Sequence, residues 1–285
     1  MTIKQALESS TAKLSQKHIP RPDLEAELLL AGVLKRDRIF LLTRDKSNLT
    51  IGQRIKYRHL ISLKMKNWPT AYLIGHQEFF GLDFIVNRHT LIPRPETELL
   101  VESALKLIPP NNKAEVIEVG TGSGCIIISV AKNNPNQKTN YRAIEISKGA
   151  IKIAKQNARK QQLETKVKFI NGDLLLPIIN EEFLTPLIIL ANLPYLRPDQ
   201  FDSSPSIQKE PRSALISGPD GLDLYRKLFD QSAELKALDI TLIIEIDPSQ
   251  TTAITQLATN HWFDSKVEIL KDFCGHERIV IIKTK

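Results

Sequence analysis

A carboxamide, a rigid proline and an aromatic ring occur together at Asn192-Leu193-Pro194-Tyr195, directly after the apolar run Leu187-Ile188-Ile189-Leu190-Ala191. That run reads as a buried parallel strand. At the end of such a strand, the Asn192 oxygen and a nearby backbone carbonyl can accept both hydrogens of a flat NH2 group. The Tyr195 ring can stack on the plane that carries that group. Upstream, Gly120-Thr121-Gly122-Ser123-Gly124 follows a second apolar run and leads into a helix beginning near Cys125. Glycines there permit a tight turn and close approach of a ligand, and the helix N-terminus exposes free N–H groups. The Gly-x-Gly-x-Gly spacing departs from the Gly-x-Gly-x-x-Gly fingerprint of dinucleotide sites, and alone it also fits a plain strand-to-helix turn. Together the two motifs point to transfer of a methyl group from S-adenosylmethionine to a planar amide or amino nitrogen.

Two acids extend the reading. Glu145 ends the next predicted strand, about 20 residues after the glycine loop, where a carboxylate can accept both hydroxyls of a ribose. Asp173 ends the strand after that and can accept a hydrogen bond from an adenine amino group, with Leu174 against the base. Each acid alone reads as a surface cap. Three such features at consecutive strand ends, on the ligand-binding edge of one sheet, read as a nucleoside site. Cys125 and Cys274 read as small packing residues, since no paired base accompanies either. The six histidines show no metal-ligand spacing, so no metal is expected.

The elements that must position these residues follow from periodicity. Residues 1–70 carry helical patterns and almost no strand signals, including Pro22–Leu34, with Leu24, Leu28, Leu29 and Leu30 on or near one face, and Ile51–Lys66. Trp68-Pro69 ends this region. Residues Glu78–Asn87 read as a β-hairpin around Gly81. The prolines of Leu91–Glu98 enforce extended backbone, and Glu96 or Thr97 is placed to open the helix that carries Leu99, Leu100 and Leu105. Strands are expected at Glu115–Val119, Tyr141–Glu145, Val167–Ile170, Leu187–Ala191, Thr241–Ile246, Lys266–Leu270 and Arg278–Lys283, with helices in most gaps. Such alternation means an open parallel sheet covered on both faces. Only Lys271–Glu277 separates the last two strands, too little for a crossover helix, so that pair should be antiparallel. The expected fold is α/β, a class I Rossmann-like methyltransferase domain with a seven-stranded mixed sheet, preceded by a small N-terminal helical bundle and a β-hairpin connector. The expected boundaries are 1–75, 76–98 and 99–285.

Composition narrows the classes. The 285 residues are 42% hydrophobic and 25% charged, ordinary for a globular protein. No apolar run approaches the roughly 20 residues needed to span a membrane. The N-terminus lacks the apolar core of a signal peptide, and its first residues include an acid and no arginine before Arg21. Two cysteines cannot make a disulfide framework, so a cytoplasmic protein is expected. The net charge of +7 is uneven: residues 1–75 hold 14 Lys and Arg against 6 Asp and Glu, a net of +8, leaving −1 for the remainder. This asymmetry points to an anionic partner, nucleic acid or acidic protein, or to a solvated helical face.

Several longer motifs make the chain resemble a known family. They are Leu24-Glu25-Ala26-Glu27-Leu28-Leu29-Leu30, Pro69–Gly75, Glu78-Phe79-Phe80-Gly81, Ile92-Pro93-Arg94-Pro95-Glu96-Thr97-Glu98, Gly120–Gly124, Asn192–Tyr195, Glu210–Leu215, Asp220–Arg226 and Glu245-Ile246. Over nearly its whole length the sequence is similar to the bacterial peptide chain release factor N5-glutamine methyltransferases, the PrmC/HemK family. The resemblance implies a class 1 release factor as partner and the Gln of its Gly-Gly-Gln loop as acceptor. It implies that Asn192 and the Leu193 carbonyl hold the amide, with Pro194 and Tyr195 completing the motif. Three positions depart from the usual pattern: Leu193 stands for Pro, Glu118 for Asp and Asp247 for Gly. Asn-Leu-Pro-Tyr also resembles adenine-N6 rRNA methyltransferases, but the flanking motifs do not belong to those enzymes. Nucleic acid is therefore not the expected substrate. The other readings of the residues are an adenine-N6 methyltransferase acting on rRNA or DNA, and a nucleotide-binding adaptor without turnover.

Overall fold

The computed structural model describes residues 1–284 and resolves two compact units. One comprises residues 1–76 with Ser204–Lys209, the other Gln77–Ser203 with Glu210 onward. The hairpin expected as a separate connector thus falls with the second unit, and a short segment from beyond Asn192 falls with the first. Among the described residues no helix is long and apolar enough to cross a membrane.

The first unit is helical: α1 Ile3–Gln16, α2 Pro22–Leu34, α3 Arg38–Thr43, α4 Ile51–Lys64 and α5 Thr70–Ile74. Capping boxes start α1 and α4, in which Thr2 and Thr50 accept from the N–H groups of Gln5 and Gln53 while those side chains reach back. Pro22 occupies the first turn of α2, where its missing N–H costs nothing. The core gathers Ile3, Leu14, Leu29, Leu30, Leu41 and Leu60. Tyr57 is buried among them, with its hydroxyl 3.0 Å from the Ala26 carbonyl. Burial pushes its pKa up to about 12. The inward face of α4 runs through Tyr57, Leu60 and Ile61, whereas Ile51 and Ile55 are 75% and 64% exposed. Lys209 lies over the Trp68 ring, 6.0 Å from its centroid.

The second unit opens with the hairpin β1 His76–Phe79 and β2 Leu82–Ile85. Its two turn residues, Phe80 and Gly81, both have positive φ, as a two-residue turn matching the strand twist requires. The Phe80 N–H donates to Glu98 Oε1 at 2.7 Å, which holds the hairpin to α6 Glu98–Leu107. The main sheet follows: β3 Ala114–Val119, β4 Thr139–Glu145, β5 Val167–Asn171, then β7 Leu187–Ala191, β9 Ile240–Glu245, β10 Lys266–Lys271 and β11 Glu277–Lys283. The intervening β6 Glu182–Phe183 and β8 Lys236–Ala237 form a separate parallel pair, too short to leave a periodic signal. Helices α7 Cys125–Asn133, α8 Lys148–Lys160, α9 Pro198–Asp202, α10 Asp223–Glu234 and α11 Thr251–His261 complete the unit.

Strand order is β10-β11-β9-β7-β3-β4-β5, with β11 alone reversed. All seven expected strands form, each within two residues of its expected limits. Successive residues of a strand face opposite sides of the sheet. Ile188 and Leu190 pack with Val101 of α6 and Ile127 of α7, while Ile189 and Ala191 pack with Tyr225 and Phe229 of α10. Each such apolar side chain, fully buried, contributes about 1.5–3 kcal/mol. The chain runs outward from β3 through β4 to β5 and then returns to the other side of β3 as β7. The carboxyl ends of β3 and β7 therefore flank the switch point, where open α/β sheets leave a crevice. Val119 pairs with Ala191, which sets the glycine loop beside Asn192.

One buried side chain ties the hairpin to this edge. Asn157 of α8, fully buried, accepts from the Ile85 N–H at 2.7 Å and donates to the carbonyls of Ile85 and Ser123 at 3.0 and 2.9 Å. Asn157→Ala strands three backbone groups and is expected to destabilise the protein by about 2–4 kcal/mol. Chemical denaturation checks this, and an unchanged midpoint would mean water replaces the side chain without loss.

Candidate active site

A cavity of about 420 Å3 lies at the switch point. Loops after β3, β4, β5 and β7 line it, together with residues 88–97 and 211–214. A volume of this order suits a nucleoside-sized ligand. Of the residues singled out in the sequence, Gly120, Thr121, Gly122, Ser123, Glu145, Asp173, Leu174, Asn192, Leu193 and Pro194 line it. Gly124 and Tyr195 are not on its wall.

The glycine loop is held by two carboxyl groups. Glu118, in β3 and 1% exposed, accepts from the Thr121 hydroxyl and from the Ile127 N–H at 3.1 Å. Ile127 is in the first turn of α7, whose N-cap residue is Gly124 and so offers no side chain. The strand carboxyl therefore takes the place of a cap. Glu145 Oε2 accepts from the Gly122 N–H at 2.9 Å, and its Oε1 from the Ser147 N–H at 2.8 Å. Gly120, Gly122 and Gly124 all have positive φ, and a Cβ on Gly120 would lie 2.9 Å from the Leu193 side chain. Asp173 Oδ2 pairs with Lys227 Nζ of α10 at 2.7 Å. Leu174 follows, buried, with φ of 48°.

Asn192 lies beyond the end of β7. Its Nδ2 donates to Thr97 Oγ1 at 3.1 Å and to Glu245 Oε2 at 3.0 Å. Asn192 Oδ1 and the Leu193 carbonyl meet no protein donor among the described residues. The phenol of Tyr225 donates to the Glu245 backbone carbonyl. Tyr195 packs against the core, with its hydroxyl 3.2 Å from Glu245 Oε1 and its carbonyl accepting from Gln250 Nε2 at 3.0 Å. Burial first, and then the Glu245 charge, push the Tyr195 pKa up. Gly221, at φ of 80°, passes so close that a Cβ would lie 2.2 Å from the Tyr195 carbonyl oxygen. On the rim, Arg94 pairs with the buried Glu210, which also accepts from the Ile92 N–H at 3.0 Å.

Sequence reasoning gave Thr97 only a place at a helix start and gave Glu245 no role. A short 3-10 turn, Pro95–Thr97, precedes α6, and the Thr97 hydroxyl makes no cap but accepts from Asn192. An acid at the end of an otherwise apolar strand, Ile240–Glu245, was the available signal. Cys125 is buried, and burial with the neighbouring Glu118 raises its thiol pKa, which disfavours the nucleophilic thiolate.

Burial pushes the Glu118 pKa up to about 8, against the lowering effect of its bonds to Thr121 and Ile127. The folded state therefore holds a proton that the unfolded chain has released, and stability from this group is lost as pH rises through about 8. Glu118→Gln keeps a carbonyl acceptor and cannot ionise. The melting-temperature advantage of the native protein over this variant should shrink between about pH 5 and about pH 8. A difference independent of pH would place Glu118 in the ordinary carboxyl range.

Known proteins match this arrangement from end to end. Residues 5–75 match the PrmC N-terminal domain model and residues 110–183 a methyltransferase domain model. The chain is 36% identical to the release factor glutamine methyltransferase of Moorella thermoacetica, over 98% of this chain and 97% of that protein. It is 37% identical to the one from Koribacter versatilis, over 99% and 98%. Among solved structures, the hMettl16 catalytic domain in complex with MAT2A 3′UTR hairpin 6 has a TM-score of 0.54 and 14% identity, covering 83% of each chain. That likeness is one of fold. With full-length identity above one third to curated relatives, and both characteristic domains present, the chain belongs to the release factor glutamine methyltransferase family.

Proposed function

We propose that the protein transfers a methyl group from S-adenosylmethionine to the side-chain amide N5 of the Gln in the Gly-Gly-Gln motif of class 1 peptide chain release factors, in the cytoplasm. The observation that carries this reading is the pair of open acceptors at the cavity, Asn192 Oδ1 and the Leu193 carbonyl. Two acceptors side by side complement the two N–H bonds of a primary amide. Leu193 acts here through its backbone, so its departure from the usual Pro leaves the acceptor in place.

The donor set fits the cofactor. Glu145, already oriented by two backbone N–H groups, keeps lone pairs for ribose hydroxyls, and Asp173 Oδ1 meets no protein donor among the described residues and is open to an adenine amino group. Leu174 packs the base, and the glycine loop gives close approach. S-adenosylmethionine supplies an electrophilic methyl group on a sulfonium. An amide nitrogen is a weak nucleophile because its lone pair is delocalised into the carbonyl. Asn192 and Leu193 hold its N–H bonds in one plane and direct the nitrogen face toward the cavity, so the rate rests on orientation and electrostatics. The amide proton can pass to water after transfer, so no strong base is required. The basic N-terminal region, residues 1–75, docks the release factor.

Labelled methyl transfer to a release factor, beside rRNA and DNA over a salt series, tests the assignment. Transfer to the factor with modest salt dependence is expected. Transfer to nucleic acid alone, collapsing steeply with salt, would overturn it. In the same assay Asn192→Ala should lose at least about 100-fold in rate while binding cofactor well. Glu145→Ala should instead weaken cofactor binding, by about 1–3 kcal/mol in calorimetry. Unchanged affinity would remove Glu145 from the cofactor site.

A further inference from the structure

Asn192 can present an acceptor to the substrate only with its carboxamide one way round. Oxygen and NH2 are nearly equal in shape, and a half-turn about the side-chain bond exchanges them. In the turned state Asn192 would offer N–H to N–H, and the orienting bond would become a repulsion. The loop residues Leu193 and Pro194 leave that torsion free, so something behind Asn192 must set it.

Two groups face Asn192 Nδ2: Glu245 Oε2 at 3.0 Å and Thr97 Oγ1 at 3.1 Å. An ionised carboxylate accepts only. Thr97 Oγ1 is the second acceptor of Asn192 Nδ2, so it too presents an oxygen to that nitrogen. Turning the carboxamide would bring Asn192 Oδ1 against two oxygens in a site where Glu245 is 1% exposed and water cannot mediate. Glu245 Oε1 meanwhile takes the Tyr195 hydroxyl at 3.2 Å. One carboxylate thus fixes both polar side chains of the Asn-Leu-Pro-Tyr motif. Arg278 contributes favourable charge to it, whereas burial and Glu96 oppose ionisation. Thr97 belongs to the Ile92–Glu98 motif and Glu245 to the Glu245-Ile246 motif, neither of which the chemistry above employs.

We infer that Glu245 and Thr97 are positioning residues for methyl transfer, which lock the Asn192 carboxamide with Oδ1 toward the acceptor amide. The inference rests on the glutamine-methylation reading of the site. Because both act through Asn192, their loss should lower kcat and leave cofactor affinity and the KM for the release factor nearly unchanged.

The test uses the full-length protein with a release factor and labelled cofactor. Glu245→Gln keeps the shape but can offer an NH2 as well as an oxygen, so the lock becomes ambiguous, and kcat should fall by about 10–100-fold. Thr97→Val should lose about 10-fold and Thr97→Ser most of the way back to the native rate, since Ser restores the oxygen. In an Asn192→Ala background, Glu245→Gln should cost little further rate, read by single turnover. The same fold-loss in both backgrounds would overturn the inference, because Glu245 would then act independently of Asn192. So would Thr97→Ser behaving like Thr97→Val. If Glu245→Gln does not fold, the Thr97 pair measured with and without Asn192→Ala decides the matter. Near-native turnover by Asn192→Ala alone would instead defeat the underlying reading of the site.

Discussion

Three carboxyl groups sit almost wholly out of water at the ends of apolar strands, and the local backbone is organised around satisfying them. Glu118, Glu145 and Glu245 belong to β3, β4 and β9, and none is more than 8% exposed. A buried carboxyl without donors costs several kcal/mol, so each must find N–H or O–H groups nearby. The donors they find are the loops of the site: Thr121 and the first turn of α7, the N–H groups of Gly122 and Ser147, and Asn192 and Tyr195. The price of burying charge at this edge is what makes the loops single-valued.

The three are not equivalent electrostatically. Burial pushes the Glu118 pKa up to about 8, and the neighbouring Glu145 charge adds to it. Its proton relieves a repulsion that two charges under one glycine loop would otherwise generate. Glu245 is also held above the ordinary carboxyl range by burial, yet Thr97, Tyr195 and Arg278 all favour its charged form. Glu145 faces the cavity and keeps lone pairs for a ligand. Position along the sheet edge thus sorts one residue type into a helix cap, a carboxylate facing the cavity and a partner of Asn192 and Tyr195.

Packing supplies the rest of the rigidity. Asn157 binds hairpin and glycine loop to α8, and Gly221 lets the chain pass against the Tyr195 carbonyl where any side chain would collide. The Leu193 side chain fills the space over Gly120, 2.9 Å from where a Cβ there would lie.

Strand identity, strand order in sequence and the reversed last pair were legible in the chain, because short apolar runs and short gaps depend only on local residues and chain length. Leu187–Ala191 was read to the residue for that reason, whereas Ile51 and Ile55 fit a helical period yet face outward, since which face of a helix is buried depends on its neighbours. Gly120–Gly124, Glu145, Asp173 and Asn192 could be proposed because a strand end before a helix is a position with known chemistry. Thr97 could not, since its spacing fits a helix cap and only the folded edge brings it to Asn192, 95 residues away. Glu245, 53 residues from Asn192, is likewise a lone acid in sequence. Nor could the sequence tell that Tyr195 turns its hydroxyl to Glu245. Contacts across such separations are decided by sheet register and by the need to pair buried charge, and both exist only once the sheet has closed.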